Sequence, residues 1–420
     1  MGVIMRNKFL SGFLSGLASA LIIFTIALTI YVVGPNGKDD NQGLNGINNA
    51  EAAAKTEDDE YKEKILQKVK KIEALIDHYY LEEVNEEALA DGIYKGILQS
   101  LGDPYSTYYT KEEYKALMES SSGVYCGIGA TVTQDVTTGI ISIVTPFVTG
   151  PAYKAGLLPG DIIYKVAGKE VTGLDLTEVV SRIKGEEGTS AEITIIREGE
   201  SEPLDFTIPR RVVEVPTITY EMLNGKIGYI AISEFDEVTA QQFKDAINEL
   251  DKQGQKGLII DIRNNPGGLL DTVVDMLDRM LPKGLIVYTE DKYGNREEKK
   301  SDAKEEFNKP LAVLINGNSA SASEIFAGAI QDYDKGTIIG TTSFGKGIVQ
   351  SIIPLQDGTA IKVTVSKYFT PKGQDIHGVG IKPDVTVELD KKLKKKVVIK
   401  KDEDNQLQKA IEIINKEIKK

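Results

Sequence analysis

Three short segments carry residue types suited to attack on a carbonyl. The first is Gly317-Asn318-Ser319-Ala320-Ser321-Ala322-Ser323-Glu324, between an apolar run and a helical pattern. Small residues there let a substrate backbone come close. A serine at a helix start lies near unpaired backbone N–H groups, where a developing oxyanion is favoured. Ser321 and Glu324 also form an S-x-x-E capping box, which needs no chemistry. The second segment is Asp261-Ile262-Arg263-Asn264-Asn265-Pro266-Gly267-Gly268. Two glycines at a strand-to-helix turn permit positive φ and a concave nest of N–H donors, suited to an oxyanion or a phosphate. The plain alternative is an ordinary β-to-α turn. The third is Gly340-Thr341-Thr342-Ser343-Phe344-Gly345-Lys346-Gly347. It falls one residue short of a nucleotide-binding loop, because Gly347 stands where Ser or Thr is needed, and Ile348–Leu355 reads as strand rather than helix. In a strand, Lys346, Ile348 and Gln350 share a face, which sets an ammonium beside a carboxamide. A solvated lysine in a Gly-rich turn is the rival reading.

Composition narrows the chemistry. The 420 residues carry a net charge of −13, a poor basis for binding nucleic acid. The single cysteine, Cys126, excludes an intrachain disulfide and a Cys-based zinc site. Only His78 and His377 are available as imidazole bases. His78 reads as a packing or surface residue, and nothing in the spacing selects an acid to orient His377. No cofactor or metal is expected.

The elements that must position these residues fall into distinct stretches. Phe9–Val33 is free of charge, roughly 37 Å of helix and enough to span a bilayer. Arg6 and Lys8 precede it, so the expectation is an uncleaved single-pass anchor in the cell membrane over 1–34, with the catalytic part extracytoplasmic. Residues 35–59, rich in Gly, Asn, Asp and Ala, read as a flexible linker. Apolar residues recur three or four apart from Tyr61 to Tyr79 and from Leu89 to Leu101, which predicts two helices within a helical, dimerising region 60–119. Alternating runs between Gly and Pro turns predict a small β-rich module over 120–213, interrupted by one helix at Thr177–Lys184. From Pro216 strands and helices alternate, which predicts an α/β core over 214–390 with a mostly parallel sheet. A tail, 391–420, ends in a helix whose stripe Leu407, Ala410, Ile411, Ile414 and Ile418 needs a partner, in the chain or on a second subunit. The fold class is therefore multidomain α+β.

Taken in order, these motifs resemble the C-terminal processing (tail-specific) peptidases, from Tyr61 to about Leu389. Leu101-Gly102-Asp103-Pro104-Tyr105-Ser106 is similar to the family's N-terminal helical segment. Gly127-Ile128-Gly129, Pro151-Ala152-x-x-Ala155-Gly156-Leu157 and Gly160-Asp161-x-Ile163 are similar to its PDZ domain. Asp261–Gly268, Ser319–Glu324, Gly345-Lys346-Gly347 and Gly378-x-Gly380-Ile381-Lys382-Pro383-Asp384 are similar to its protease core. The resemblance implies a serine endopeptidase with Ser321 as nucleophile, Lys346 as general base and Gln350 orienting the lysine. It places the oxyanion donors at the amides of Ala322 and Gly267, with Gly268 as the alternative for the second. A lysine serves as base once burial lowers its pKa, and a Ser–Lys pair needs no histidine. The PDZ residues Gly127, Ile128 and Gly129 would hold a substrate's C-terminal carboxylate, with the tail added as a strand beside Gly129–Thr133. Arg182 and Lys184 are candidates for a gating residue. The implied partners are proteins with accessible C-termini and a second copy of the chain. The alternative function is a PDZ adaptor that has lost catalysis; nucleotide binding through Gly340–Gly347 is weaker.

Overall fold

The computed structural model describes residues 43–396 and 399–420. The chain divides into two compact units, residues 1–86 and 87–420. The first presents one long helix, Gly43–Tyr79. It begins inside the stretch expected to be a linker, where Ala50–Lys55 is a run of strong helix formers. Tyr61, Ile65, Leu66, Ile72 and Leu75 are exposed along it.

The expected transmembrane helix, and the membrane and extracytoplasmic placement built on it, are corrected here. Among the described residues no helix is long and apolar enough to cross a membrane. The Gly43–Tyr79 helix carries Glu60, Glu63, Lys64, Lys68, Lys71 and Asp77 within a few turns, charges that hydrocarbon does not accept. Phe9–Val33 lies outside the described residues. What stands is a multidomain α+β architecture.

The second unit begins within the helix Glu86–Gln99 and continues with the short strand Thr107–Tyr109. The helix Lys111–Ser122 follows, capped by the Thr110 side chain and stopped at Gly123, whose φ is 67°. A β-rich module comes next. Its strands Ala130–Gln134, Ile141–Pro146, Ile162–Val166, Ser190–Ile196 and Leu204–Pro209 are neighbours in that order. Ala130–Gln134 is an edge strand, and the helix Leu176–Ile183 buries Val179 and Ile183. Ile141, Ile143, Ile163, Val166, Ile193 and Ile195 fill the core.

The remainder of the unit holds two further large sheets of different character. The first orders the strands Ile218–Leu223, Ile227–Ile232, Gly257–Asp261, Leu311–Ile315, Thr337–Gly340 and Val385–Thr386. Only its first pairing is antiparallel. Gly257–Asp261 and Leu311–Ile315 are buried at every position, as a parallel sheet covered on both faces requires. Leu258, Ile260, Val313 and Ile315 pack against the helices Thr239–Lys252, Leu270–Asp278 and Ala322–Asp332. Ile259, Ala312 and Leu314 pack on the other face, against Leu407, Ala410 and Ile414 of the helix Asn405–Ile418.

The second sheet is antiparallel. Ala360–Phe369 lies between Thr107–Tyr109 and Gly284–Asp291, also pairs with Ile348–Pro354, and Arg296–Ser301 extends it. The strand-helix alternation read from the sequence gave no sign of this layer beyond Ile348–Leu355, because strands such as Arg-Glu-Glu-Lys-Lys-Ser (296–301) carry no apolar pattern.

The C-terminal stripe finds its partner within the chain. Leu407, Ala410 and Ile414 are buried on the first sheet. Asp404 caps the helix and meets the Arg263 guanidinium at 2.7 Å. That stripe therefore calls for no second subunit. Truncating Ile414, fully buried beside Gly257, should remove about 2–4 kcal/mol of stability. Denaturant unfolding of Ile414→Ala checks this, and an unchanged midpoint contradicts it.

Candidate active site

The first-sheet strand Leu311–Ile315 runs into a turn of small polar residues and then into the helix Ala322–Asp332. Three serines cluster at this junction, and hydrogen bonding separates them. Ser319 is fully buried, and its hydroxyl donates to the Ile262 carbonyl at 2.8 Å. Ser323 is equally buried and donates to the Asn265 carbonyl at 2.9 Å. Ser321 sits between them at φ 55°, ψ −115°, a backbone state L-residues avoid, which costs on the order of 1–3 kcal/mol. Its amide donates to Glu324 Oε2 at 2.9 Å, and its carbonyl accepts from the Glu324 amide at 2.8 Å. The Ala322 amide opens the helix and makes no hydrogen bond among the described residues, so it is an unspent donor at the positive end of the helix dipole.

The Asp261–Gly268 turn comes from the adjacent strand, Gly257–Asp261. Asn265 staples it. Its side-chain amide donates to the Ile232 carbonyl at 3.0 Å, and its own carbonyl accepts from the Ala320 amide at 3.0 Å. Gly267 stands at φ 109° directly against the serine. A Cβ there would meet Ser321 Cβ at 2.8 Å and the Ala322 nitrogen at 3.0 Å. Its N–H, however, is already given to Asn265 Oδ1 at 2.8 Å. The Gly268 amide makes no hydrogen bond among the described residues. Gly267 and Ala322 are thus brought to Ser321, with only the Ala322 donor uncommitted.

Lys346 arrives from the antiparallel layer, on the segment that leads into Ile348–Pro354. The Gly340–Gly347 loop opens into that strand and not into a helix. Glu324 joins the two halves of the site. Its carboxylate, fully buried, accepts from the Lys346 amide at 2.8 Å, the Gly345 amide at 2.6 Å and the Ser343 hydroxyl at 2.6 Å, besides the Ser321 amide. The Tyr368 hydroxyl adds a second tie, donating to the Ser321 carbonyl at 2.9 Å and to the Lys346 carbonyl. Burial, with Glu324's charge behind it, pushes that phenol well above its usual range, so it remains a donor.

Burial lowers the Lys346 pKa, and Lys362 adds to this by repulsion; Asp103 and Glu324 oppose it. The ammonium lies 4.5 Å from the centre of the Tyr105 ring. Among the described residues no hydrogen bond joins Lys346 Nζ to the Ser321 hydroxyl. Gln350 does not reach the lysine either: its carboxamide nitrogen has only long contacts of 3.4 Å, to the Ile348 carbonyl and Thr364 Oγ1. Lys346 lies ahead of the strand, which begins at Ile348, so strand alternation does not set it beside Gln350; the register with Ala360–Phe369 also slips between Val349 and Gln350, where Val365 is skipped. His377 is exposed and packs its backbone against Gly347.

In the β-rich module, Ile128 is buried. It lines a pocket of about 360 Å³ with Ala130, Val132, Val180 and Ile183. Gly127 ends the strand Val124–Gly127, and Gly129 turns at φ 75°. The Tyr125 hydroxyl accepts from the Ala130 amide at 3.3 Å. Lys184 lines this pocket, pairs with Glu119 at 2.8 Å and covers the Tyr125 ring. Arg182 pairs along its own helix with Glu178. The sequence reading passed over Asn265, Tyr368 and Tyr105, and saw Glu324 only as a helix cap. Burial was the missing signal, since each is an ordinary residue until its neighbours are known.

Comparison with known proteins identifies the family. Residues 226–387 match the model of peptidase family S41, residues 143–197 a PDZ domain, and residues 26–113 the activating protease CtpB N-terminal domain. The chain is 39% identical over 364 residues to the carboxy-terminal processing protease CtpA of Bacillus subtilis (strain 168), covering 86% of this chain and 74% of that one. It is 42% identical over 312 residues to a carboxy-terminal-processing protease of Bartonella bacilliformis, covering 72% and 70%. A solved S41 protease structure from Bacteroides fragilis shares the fold at a TM-score of 0.51 and 18% identity, over 77% of this chain and 90% of that one. A PDZ module preceding an S41 core, at this identity and coverage, places the chain in peptidase family S41, among the carboxy-terminal processing proteases.

Proposed function

We propose that this protease captures the C-terminal tails of protein substrates on its PDZ module and cleaves them with a Ser–Lys mechanism. The observation that carries the reading is the single buried carboxylate of Glu324, which accepts from the backbone amides of both Ser321 and Lys346. One group thereby registers a nucleophile on one sheet with a base on the other.

In this reading the neutral Lys346 amine takes the Ser321 hydroxyl proton as the oxygen attacks the scissile carbonyl carbon. The oxyanion is met by the Ala322 amide and by Gly267 or Gly268. The resulting ammonium gives its proton to the departing amine, leaving an acyl-serine. Lys346 then deprotonates water, which hydrolyses that ester. Two changes lead from the present geometry to a reactive one. The amine moves from the Tyr105 ring to the serine hydroxyl, and either the Gly267 amide leaves Asn265 Oδ1 or Gly268 serves in its place. Gln350 is the orienting residue once the amine has moved.

For tail capture, the peptide adds beside Ala130–Gln134 with its last side chain in the Ile128–Ile183 pocket. Its carboxylate takes the amides around Gly127–Gly129 and nears Lys184. Meanwhile Glu119 holds Lys184, and the Tyr125 hydroxyl takes the neighbouring Ala130 amide.

Ser321→Ala should abolish casein cleavage and keep the fold within about 1 kcal/mol; activity surviving in Ser321→Ala but lost in Ser319→Ala contradicts the assignment. The rate constant kcat/KM should rise with pH through a pKa below the ordinary lysine value, because only the neutral amine is a base. Lys346→Arg and Lys346→Ala should lose about 10²–10⁴-fold or more, while His377→Ala remains active. A pH–rate series on these variants checks both points, and an active Lys346→Arg enzyme rules the mechanism out. Glu324→Gln turns an NH₂ group towards its backbone donors. It should cost at least about 2–3 kcal/mol and lower kcat more than it raises KM, measured by unfolding and steady-state kinetics.

A further inference from the structure

The chemistry above uses nothing from Gly102 to Ser106, yet this loop is fastened against the base. The helix Glu86–Gln99 ends ahead of Gly102 at φ 67°, and five residues after that glycine Thr107–Tyr109 joins the antiparallel sheet, with Thr107 opposite Lys362. Asp103 binds the loop to that sheet. Its Oδ2 accepts from the Ser106 hydroxyl at 2.6 Å and from Thr364 Oγ1 at 2.7 Å, and its Oδ1 accepts from the Tyr105 amide at 3.0 Å. Ser106 Oγ in turn accepts from the Thr364 amide at 3.1 Å. Thr364 is the residue that Gln350 approaches. Tyr105, between these anchors, has its half-buried ring beneath the Lys346 ammonium.

We propose that Tyr105 and Asp103 are positioning residues for the Lys346 amine: Asp103 clamps the loop to Thr364, and the clamped Tyr105 ring holds the protonated amine in the active site between proton transfers. This rests on Lys346 being the general base. An aromatic face attracts an ammonium and does little for the free amine. The carboxylate of Asp103 likewise favours the charged form. Although burial works against it, that carboxyl is held below its usual range by Ser106, Thr364, the Tyr105 amide and the Lys346 charge. The charged groups facing Lys346 are thus Asp103 and Glu324, which favour the ammonium, and Lys362, which opposes it together with burial. The loop sets how far burial can lower the lysine pKa, and so the pH at which the enzyme switches on.

The test is the pH dependence of kcat and kcat/KM of the full-length chain on labelled casein, for wild type, Tyr105→Leu, Tyr105→Phe, Asp103→Asn and Lys346→Ala, with thermal unfolding of each. Tyr105→Leu and Asp103→Asn should move the acid limb of kcat/KM to lower pH by about half to one unit. Below the limb that is a relative gain of roughly three- to tenfold, and Tyr105→Phe should keep the wild-type limb. A purely structural role would scale the amplitude and leave the limb in place. Folded Tyr105→Leu and Asp103→Asn enzymes whose limbs overlay wild type overturn the proposal while inactive Lys346→Ala leaves the Ser–Lys reading intact. If Tyr105→Leu fails to fold, Asp103→Asn, which keeps size and shape, decides alone. An active Lys346→Ala enzyme overturns both.

Discussion

The carboxylate of Glu324 is fully buried and accepts four hydrogen bonds, from the amides of Ser321, Gly345 and Lys346 and from the Ser343 hydroxyl. A buried charge is tolerated only when its lone pairs are met, and here each donor belongs to the loops that carry Ser321 and Lys346. The constraint acts in both directions. The loops have the shape they do because they must satisfy this group, and the group can be buried because they do. Ser321 is held in its strained backbone state by the same contact, with Tyr368 closing on its carbonyl from the other side.

Everything else delivers the two loops to that carboxylate. The parallel sheet brings Ser321 and the Asp261–Gly268 turn from adjacent strands, and Asn265 locks them together. The antiparallel sheet brings Lys346, and its central strand, Ala360–Phe369, also supplies Tyr368 and receives the Asp103–Ser106 loop. Ser321 and Lys346 thus come from two separate layers. Relative sliding of those layers is opposed by buried hydrogen bonds in addition to the apolar contacts through Ile286, Val287 and Tyr368.

Much of the parallel core was legible in the sequence. Leu258–Ile260 and Leu311–Ile315 are unbroken apolar runs, and the helices after them carry a clear 3.6-residue stripe. The chemical loops were visible as Gly-, Ser- and Asn-rich turns at the ends of those strands. Spacing could not choose among Ser319, Ser321 and Ser323, since the distinction lies in which hydroxyls are spent on Ile262 and Asn265. The Lys346–Gln350 pairing assumed a strand that already included Lys346, whereas the strand begins at Ile348. The stripe Leu407–Ile418 announced that it needed cover, and periodicity alone could not tell its own sheet from a second subunit. Strands such as Arg296–Ser301, paired but largely exposed, leave no hydrophobic trace.

The account rests on Ser321 being activated by Lys346, and covalent trapping tests that most directly. The full-length protein is treated with a fluorophosphonate and the adduct is mapped by peptide mass spectrometry, in wild type and in Lys346→Arg. The account predicts a single adduct on Ser321 whose rate rises with pH in wild type and falls away in Lys346→Arg. An adduct on Ser319 or Ser323, or labelling of Ser321 at an undiminished rate in Lys346→Arg, would contradict it.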